Sequence, residues 1–519
     1  MREDLSGAAR GRPAGDRVDT VARALARNRL GVGSVVVMVA GAVAPFTIVA
    51  GLVPTAFAQT GLLGVPVAFA AVAVVLLLFA GGFIAMGRLV PPNAGGLYAF
   101  IAAGLGRPLG LGAGWLATVV YTVLQIALYG AIGAQGQVLL AGLGMAVPWW
   151  VVALAAWAVV AALGLARIDL NRTVLAVFLA AEAAVLVVFT VANLANPAAG
   201  RVSTETLEPA ALLGPGVGAL LVIGLLGYVG FENGVVYGEE ARDAARTVAT
   251  ATVLSVVVIG VLYTAASWAL TVATGPDRIV DAARELGPGV VFGLAAENLH
   301  PGAADVGLAL FVTSLLVAAV TFHNSVARYA FALGRERLLP PWLGRTSARY
   351  NSPWSASLTQ SGVAFVVITT YAVAGWRPME DLFFVGGAVG GLGVLTLLTL
   401  TAVAVTRHLT RHRRAAGGSW ATRTLVPGVA ALVLATFLWL AVDGFDRLLG
   451  VAPTDPLRFA VPLIYAGVLL AGVAAGLVLR RRRPEVYRRI GLGPGTRTDA
   501  HATPGVPGAA HAAGTGRAG

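Results

Sequence analysis

Apolar windows of about 20 residues recur along this chain, and their recurrence leaves the backbone few options. Hydrocarbon offers no partner to a free N–H or C=O. A spanning segment must therefore satisfy its own backbone as an α-helix, or pair its strands into a closed barrel. The windows are too long for barrel strands, which span in about 9–11 residues. Helical spans are expected near 31–57, 65–87, 109–140, 148–166, 173–194, 215–238, 247–273, 304–332, 354–374, 380–406, 424–442 and 460–479. Composition agrees: 12% of residues are charged, against about 25% in soluble domains. The expected fold class is an all-α integral membrane protein with about twelve transmembrane helices.

Arginine placement orients the bundle. With the N-terminus inside, only Arg201, Arg278, Arg284, Arg377, Arg447 and Arg458 fall on outer segments; the other arginines lie on the inner side. Basic residues concentrate on cytoplasmic loops. Both termini are therefore expected in the cytoplasm, and the protein in the cell (cytoplasmic) membrane. The acids show no such bias. The net charge of +12 is thus an orientation signal; membrane lipid is an expected partner and nucleic acid is not. Residues 1–30 read as an Arg-rich cytoplasmic tail without the early apolar stretch of a signal peptide. Residues 480–519 read as a basic, disordered cytoplasmic tail. The chain has no cysteine, which excludes disulfides, thiolate metal sites and cysteine nucleophiles. It has no lysine, so a Schiff base is excluded too. No metal or cofactor is expected.

Two outer connections are long, 195–214 and 274–303. The stretch DRIVDAARELGPGVVFGLAAENLH in the second has amphipathic helical spacing. It suits a lid over an outer vestibule or a plain surface helix.

Two spans are interrupted. MVAGAVAPF places Gly41 and Pro45 inside the first, and GYVGFENG places Gly227, Gly230 and Gly234 inside the sixth. The breaks lie roughly 190 residues apart, and an offset of five spans, an odd number, makes the two halves inverted. The expected organisation is a 5+5 inverted-repeat core over 31–406, with halves 31–194 and 215–406, then two additional C-terminal spans over 424–479. A broken helix exposes backbone polar groups at membrane depth, tolerable only where they line a cavity or meet a ligand. Half-helix N-terminal ends favour a carboxylate; free carbonyls favour an ammonium or Na⁺. An α-amino acid carries both groups. The plain alternative is that Gly and Pro are common in membrane helices.

Only Glu182, in the fifth span, and Glu232, in the sixth, lie well inside the membrane as acids. Glu232 has three readings: contact with a substrate amine, a proton carrier, or a tie for the loose backbone of the break. Glu182 either belongs to a cation-coupling region between the first, fifth and eighth spans or hydrogen-bonds a neighbouring helix. His323, in the eighth span, is a proton carrier by chemistry or a packing residue. Tyr121 and Gln125 sit one helical turn apart on the third span and share a face, suited to lining a cavity or to packing. Thr313, Ser314 and Thr321 on the eighth span offer hydroxyls to Na⁺.

Three segments carry a family resemblance. In PNAGGLYAFIAAGLGRPLGLGAGW the matching residues are Pro92, Ala94, Gly95, Gly96, Tyr98, Gly106, Gly114 and Trp115. In GFENGVVYGEEARDAARTVATA they are Gly230, Phe231, Glu232, Glu239, Glu240 and Arg246. In NSVARYAFALGRERLLP they are Asn324, Arg328, Arg335, Glu336, Leu339 and Pro340. Together and in this order they resemble the signatures of amino acid–polyamine–organocation permeases over roughly residues 30–480. The departures are Asp243-Ala244 for the usual Asn-Pro, Ala249 for a second proline and Arg337 for a glycine. The first break, Ala40-Gly41-Ala42-Val43-Ala44-Pro45, has no hydroxyl. The gate aromatic of some members falls on Leu226. The resemblance implies a leucine-transporter-like core with broken first and sixth helices and alternating access. It also implies a substrate site over Ala40, Gly41, Ala42, Val43 and Ala44 and over Tyr228 to Glu232, including Gly230 and Phe231.

The expected function is secondary active transport of an amino acid or related amine, by proton-coupled symport or exchange, with Na⁺ possible as the coupling ion. The substrate carboxylate is expected at the N–H groups of Gly41 to Val43, and its ammonium at carbonyls of the sixth-span break beside Glu232. A polyamine or cationic-amine exchanger and a non-transporting nutrient sensor are the alternatives. A channel would need a filter loop or charged ring, and none is visible. An enzyme would need a nucleophile–base or metal constellation. The six histidines are scattered, so no catalytic residue is expected.

Overall fold

The computed structural model describes residue 25 and residues 29–90, 95–166, 168–347, 351–412 and 419–493. The signature residues Pro92 and Ala94, and most of both tails, lie outside these. Eleven helices are long and apolar enough to cross a membrane, and Trp149–Leu165 is a shorter apolar one. In chain order they are α1 (Val32–Thr60), α2 (Val65–Gly87), α3 (Arg107–Gly142), α4 (Trp149–Leu165) and α5 (Ile168–Ala195). They continue as α6 (Val217–Tyr237), α7 (Ala244–Thr274), α8 (Gly302–Arg335), α9 (Trp354–Ala374), α10 (Pro378–Arg411), α11 (Ala421–Asp443) and α12 (Leu457–Arg482). The protein is a multi-pass membrane protein. Every expected window holds a helix, and among the described residues the only β-type pairing is a single bridge between Leu30 and Ala241.

The inverted repeat is visible in the packing. Helix α2 lies against α7, α3 against α8, and α4 against α9. Helix α5 contacts α1, α7 and α8; α10 contacts the counterparts of these, packing on α2 and α3 and meeting α6 where Leu226 covers Gly391. Hydrophobic association cannot order helices among lipid tails, so close backbone approach does much of the work. Gly386, Gly390 and Gly393 of α10 receive Ala127, Leu124 and Val120 of α3. Helix α12 packs along α3, with Gly472 seated on the Gly112 backbone.

The connections differ from expectation in two places. The 274–303 stretch forms two short helices, Ile279–Leu286 and Gly289–Asn298, separated by Gly287-Pro288. The first packs on the second half of α1, where Arg284 Nε donates to the Ala58 carbonyl (3.2 Å). Residues 480–493 were expected to be a loose tail but are packed or helical. Helix α12 runs through Arg480–Arg482, where cations suit a helix C-terminus. Pro484–Arg489 follows, and the Gly491 N–H donates to Glu336 Oε2 (3.0 Å).

A bulkier residue at Gly112 should destabilise the α3–α12 seam, because its Cβ would press on the Leu469 carbonyl. Gly112→Val should cost about 1–3 kcal/mol, the usual price of overpacking, and lower the thermal midpoint in detergent. Gly467→Val, on the same helix pair but with open space around its Cα, should leave the midpoint unchanged.

Candidate functional site

Both interrupted spans are broken where the residues require it. In α1 the first half ends at Val43, and Ala44 adopts φ 50, ψ 71. The left-handed conformation costs an L-residue about 1–2 kcal/mol. Pro45 follows with no N–H to donate, so the helical ladder cannot continue. In α6 the first half ends at Leu226, Gly230 takes φ 115, and a 3₁₀ segment runs from Phe231 to Tyr237. Gly230 is required twice, for its φ and for space. A methyl built on it would lie 2.7 Å from Ala42 Cβ and 3.0 Å from the Val43 nitrogen. The two breaks therefore meet backbone to backbone.

The groups freed at α1 are not those expected. The amides of Gly41, Ala42 and Val43 lie inside the helix Val32–Val43 and donate to the preceding turn. Their carbonyls are the freed groups, because the donors four residues on are lost. Pro45 has none, the Phe46 N–H is turned to Glu182, and the Thr47 N–H donates to Ser314 Oγ (3.3 Å). At this point α1 offers oxygens, which suit an ammonium rather than a carboxylate.

Glu232 is buried at the second break. Its Oε1 accepts from Tyr121 Oη (2.6 Å) and its Oε2 from the Gly230 N–H (3.0 Å). The carboxylate thus caps the 3₁₀ segment and ties it to α3, the third of the readings open from sequence. Tyr121 stacks on Phe322 and Tyr329 of α8. Gln125, one turn away, is turned elsewhere: its amide donates to Tyr129 Oη and accepts from Gln360 Nε2, both at 2.7 Å. Tyr228 and Phe231 point toward α2, Tyr228 donating to the Phe69 carbonyl (2.8 Å) and Phe231 meeting the Phe79 ring.

Helix α8 carries a stripe of polar residues every seventh position, Ser314, Thr321, Arg328 and Arg335, which keeps one face of a helix toward one neighbour. Ser314 Oγ donates to Glu182 Oε2 (2.8 Å). Glu182 therefore joins α5 and α8 beside the α1 break. Around it Glu182 Oε1, Thr47 Oγ1 and Tyr263 Oη are buried without hydrogen-bond partners. Thr321 Oγ1 lies 3.0 Å from where a Gly41 methyl would be. His323 is on the opposite face of α8, bonded to Ser357 of α9 (2.8 Å) and packed on Gly164 of α4. Thr313 donates to the Leu310 carbonyl (3.0 Å) within α8.

The lower half of the stripe was not foreseen as a unit. Arg328 makes a two-point ion pair with Glu240 (2.7 and 3.2 Å) and lies over the Tyr237 ring. Arg335 pairs with Glu239 in the same way (2.9 and 2.7 Å). The Arg29 and Leu30 amides both donate to the Glu240 carbonyl (2.9 and 3.1 Å), and the Arg242 N–H donates to the Leu30 carbonyl (3.0 Å). The start of α1, the end of α6 and the end of α8 are thereby clamped together on the side where α1 begins, the N-side. The Leu97 N–H, from the first signature, donates to Tyr329 Oη (3.2 Å) just above the clamp. Sequence matched Glu239, Glu240, Arg328 and Arg335 to signatures but did not pair them. The signal was present: two acids and two arginines, the arginines seven apart.

Two departures from the family pattern have local explanations. Arg337 adopts φ 61, the conformation for which the usual glycine is suited. Asp243 caps α7 by accepting from the Arg246 N–H (3.1 Å), so only the proline of Asn-Pro is lost.

On the side opposite the N-side a cavity of about 160 Å³ opens between α1, α3, α6 and α10, reaching Thr47 and Val229 beside the two breaks. Among the described residues no three His, Cys, Asp or Glu side chains are grouped to hold a metal ion.

Residues 30–480 match the family model described as "Amino acid permease". An uncharacterized transporter of Mycobacterium tuberculosis strain H37Rv is 28% identical over 362 residues, covering 67% of this chain and 75% of that protein. An uncharacterized transporter of Mycobacterium bovis matches with the same figures. Among solved structures, a variant of the Eremococcus coleocola manganese transporter superposes with a TM-score of 0.53 at 13% identity. The match covers 92% of this chain and 97% of that one. A second variant of the same transporter gives a TM-score of 0.52. At this identity the likeness concerns the fold alone, the leucine-transporter-like arrangement.

Removing one partner of a buried ion pair costs about 3–5 kcal/mol, so Arg328→Gln should weaken the N-side clamp. Ser325 is fully buried beside Tyr237, and the chain has no native cysteine. In a Ser325→Cys background, Arg328→Gln should speed maleimide labelling at least about tenfold, and the swap Glu240→Arg with Arg328→Glu should slow it again. Equal rates in all three would locate the closure elsewhere.

Proposed function

The chain belongs to the amino acid permease family, and from that premise we propose that it carries an amino acid or related amine across the cytoplasmic membrane by alternating access. The observation that carries this reading is the meeting of the two breaks, with the carbonyls of Gly41 to Val43 freed beside Gly230 and Glu232. The core is the ten-helix repeat α1–α10, with α11 and α12 as accessory helices. The substrate docks against Ala40 to Ala44 and Gly230 to Glu232, its ammonium on the α1 carbonyls. Its carboxylate competes with Glu232 for the Tyr121 hydroxyl and the Gly230 N–H. Tyr228, Phe231 and Gln125 hold the surrounding helices in place.

Coupling is assigned to Glu182. Its carboxyl is buried between the α1 break, α5 and α8, and its Oε1 lacks a partner, as do Thr47 Oγ1 and Tyr263 Oη nearby. A buried polar atom without a partner costs about 1–3 kcal/mol. A proton on Glu182 supplies a donor to this cluster and removes its charge, loosening or tightening the hold on α1 as it binds and leaves. Proton-coupled symport or exchange follows. His323 faces α4 and α9 and is given no part.

The arginine distribution supports a cytoplasmic position for both termini. The clamp then closes the cytoplasmic side, and the cavity faces outward.

In proteoliposomes, an inward proton gradient should drive accumulation of a radiolabelled amino acid mixture. Glu182→Gln should cut gradient-driven accumulation at least about tenfold while sparing exchange, and Tyr121→Phe should weaken substrate affinity. Uptake driven by Na⁺ and indifferent to pH would overturn the proton assignment. Absence of uptake and exchange for every amino acid and amine would overturn transport.

A further inference from the structure

We infer that the cavity beside the two breaks is the subsite for the solute's side chain, and that it admits apolar side chains and rejects cationic ones. The inference rests on the transport reading and deepens it.

The cavity is continuous with the breaks. It starts at Thr47, three residues beyond Ala44, and at Val229, the residue before Gly230. A solute held by its backbone groups at the breaks must send its side chain here. The walls are Ile48, Leu52, Leu124, Leu226, Phe383 and Phe384, and no Asp, Glu, Arg or His lines the space. Of its polar residues, Thr55 already donates to the Gly51 carbonyl (2.8 Å). Neither membrane acid lines the cavity. Glu232 is held by Tyr121 and Gly230, and Glu182 by Ser314. A lysine or polyamine ammonium entering it would give up part of its water with no counter-charge on the lining, which is costly.

Size agrees with chemistry. An enclosed apolar cavity of about 150 Å³ takes a benzene ring; this one, about 160 Å³ and open on its outer side, has room for a leucine or phenylalanine side chain. Two glycines of α10 set its depth. Leu226 rests directly on Gly391, in space a larger residue would occupy, and Gly387 lines the cavity with nothing within 4 Å of its would-be Cβ.

Gly387→Val adds bulk to the cavity without a clash elsewhere, so it tests the subsite and not folding. The measurement is counterflow in proteoliposomes preloaded with leucine, phenylalanine, alanine, lysine, arginine or putrescine. Leucine and phenylalanine should exchange at least about tenfold faster than lysine, arginine or putrescine. Gly387→Val should slow phenylalanine exchange about 10- to 200-fold, the range that a few methylenes of misfit command, and change alanine exchange less than about twofold. Lysine or putrescine exchanging as fast as leucine would overturn the inference while leaving transport intact. So would an equal loss for phenylalanine and alanine in Gly387→Val. No counterflow with any of the six would overturn this inference; the transport reading falls only if no other amino acid or amine exchanges either.

Discussion

The contact of Gly230 with the Ala42–Val43 backbone is the interaction on which the rest of the structure depends. A membrane helix must satisfy its backbone internally, and here two helices fail to do so at the same depth and against each other. Each freed group then recruits a partner from a different helix. Glu232 and Tyr121 take up the α6 break. Ser314 takes the Thr47 amide of α1 and donates in turn to Glu182. The breaks are thus connected to α3 and α8 by single hydrogen bonds, and through Ser314 to α5.

Helix α8 converts that local arrangement into a device spanning the membrane. Its seven-residue stripe runs from Ser314, beside Glu182, through Thr321, against Gly41, to the paired Arg328 and Arg335 of the clamp. The three signature segments, distant in the chain, converge here. Leu97 meets Tyr329, Trp115 Nε1 donates to the Leu338 carbonyl (3.2 Å), and Glu239–Glu240 meet the two arginines. The signatures hold one closure together. The opposite side has no ion pair of comparable burial among the described residues, and the cavity lies there.

The pseudo-symmetry explains why closure and cavity sit on opposite sides of one site. Counterpart helices pack on each other, so α1 and α6 cross at the centre with reversed directions. The N-terminal half of α1 is fixed at Leu30 to the end of α6, and its second half borders the cavity.

The sequence by itself determined the class of fold. Apolar windows of spanning length force helices, because nothing else satisfies a backbone in lipid, and Pro45 and Gly230 force the two breaks. It marked Glu182 and Glu232 as costly charges inside the membrane, each with a functional and a structural reading. It could not determine which backbone groups the breaks release, since that depends on where each half-helix ends. Amides were expected at Gly41 to Val43, and carbonyls are presented. Nor could it separate Tyr121 from Gln125, or place His323. Residues on neighbouring turns share a face only approximately, and the packing of α9 and α4 decides which side chain meets which helix. The pairing of Glu239 and Glu240 with Arg335 and Arg328, and the uncharged lining of the cavity, belong to tertiary structure alone. Both are relations between helices that approach only once the two inverted halves have packed.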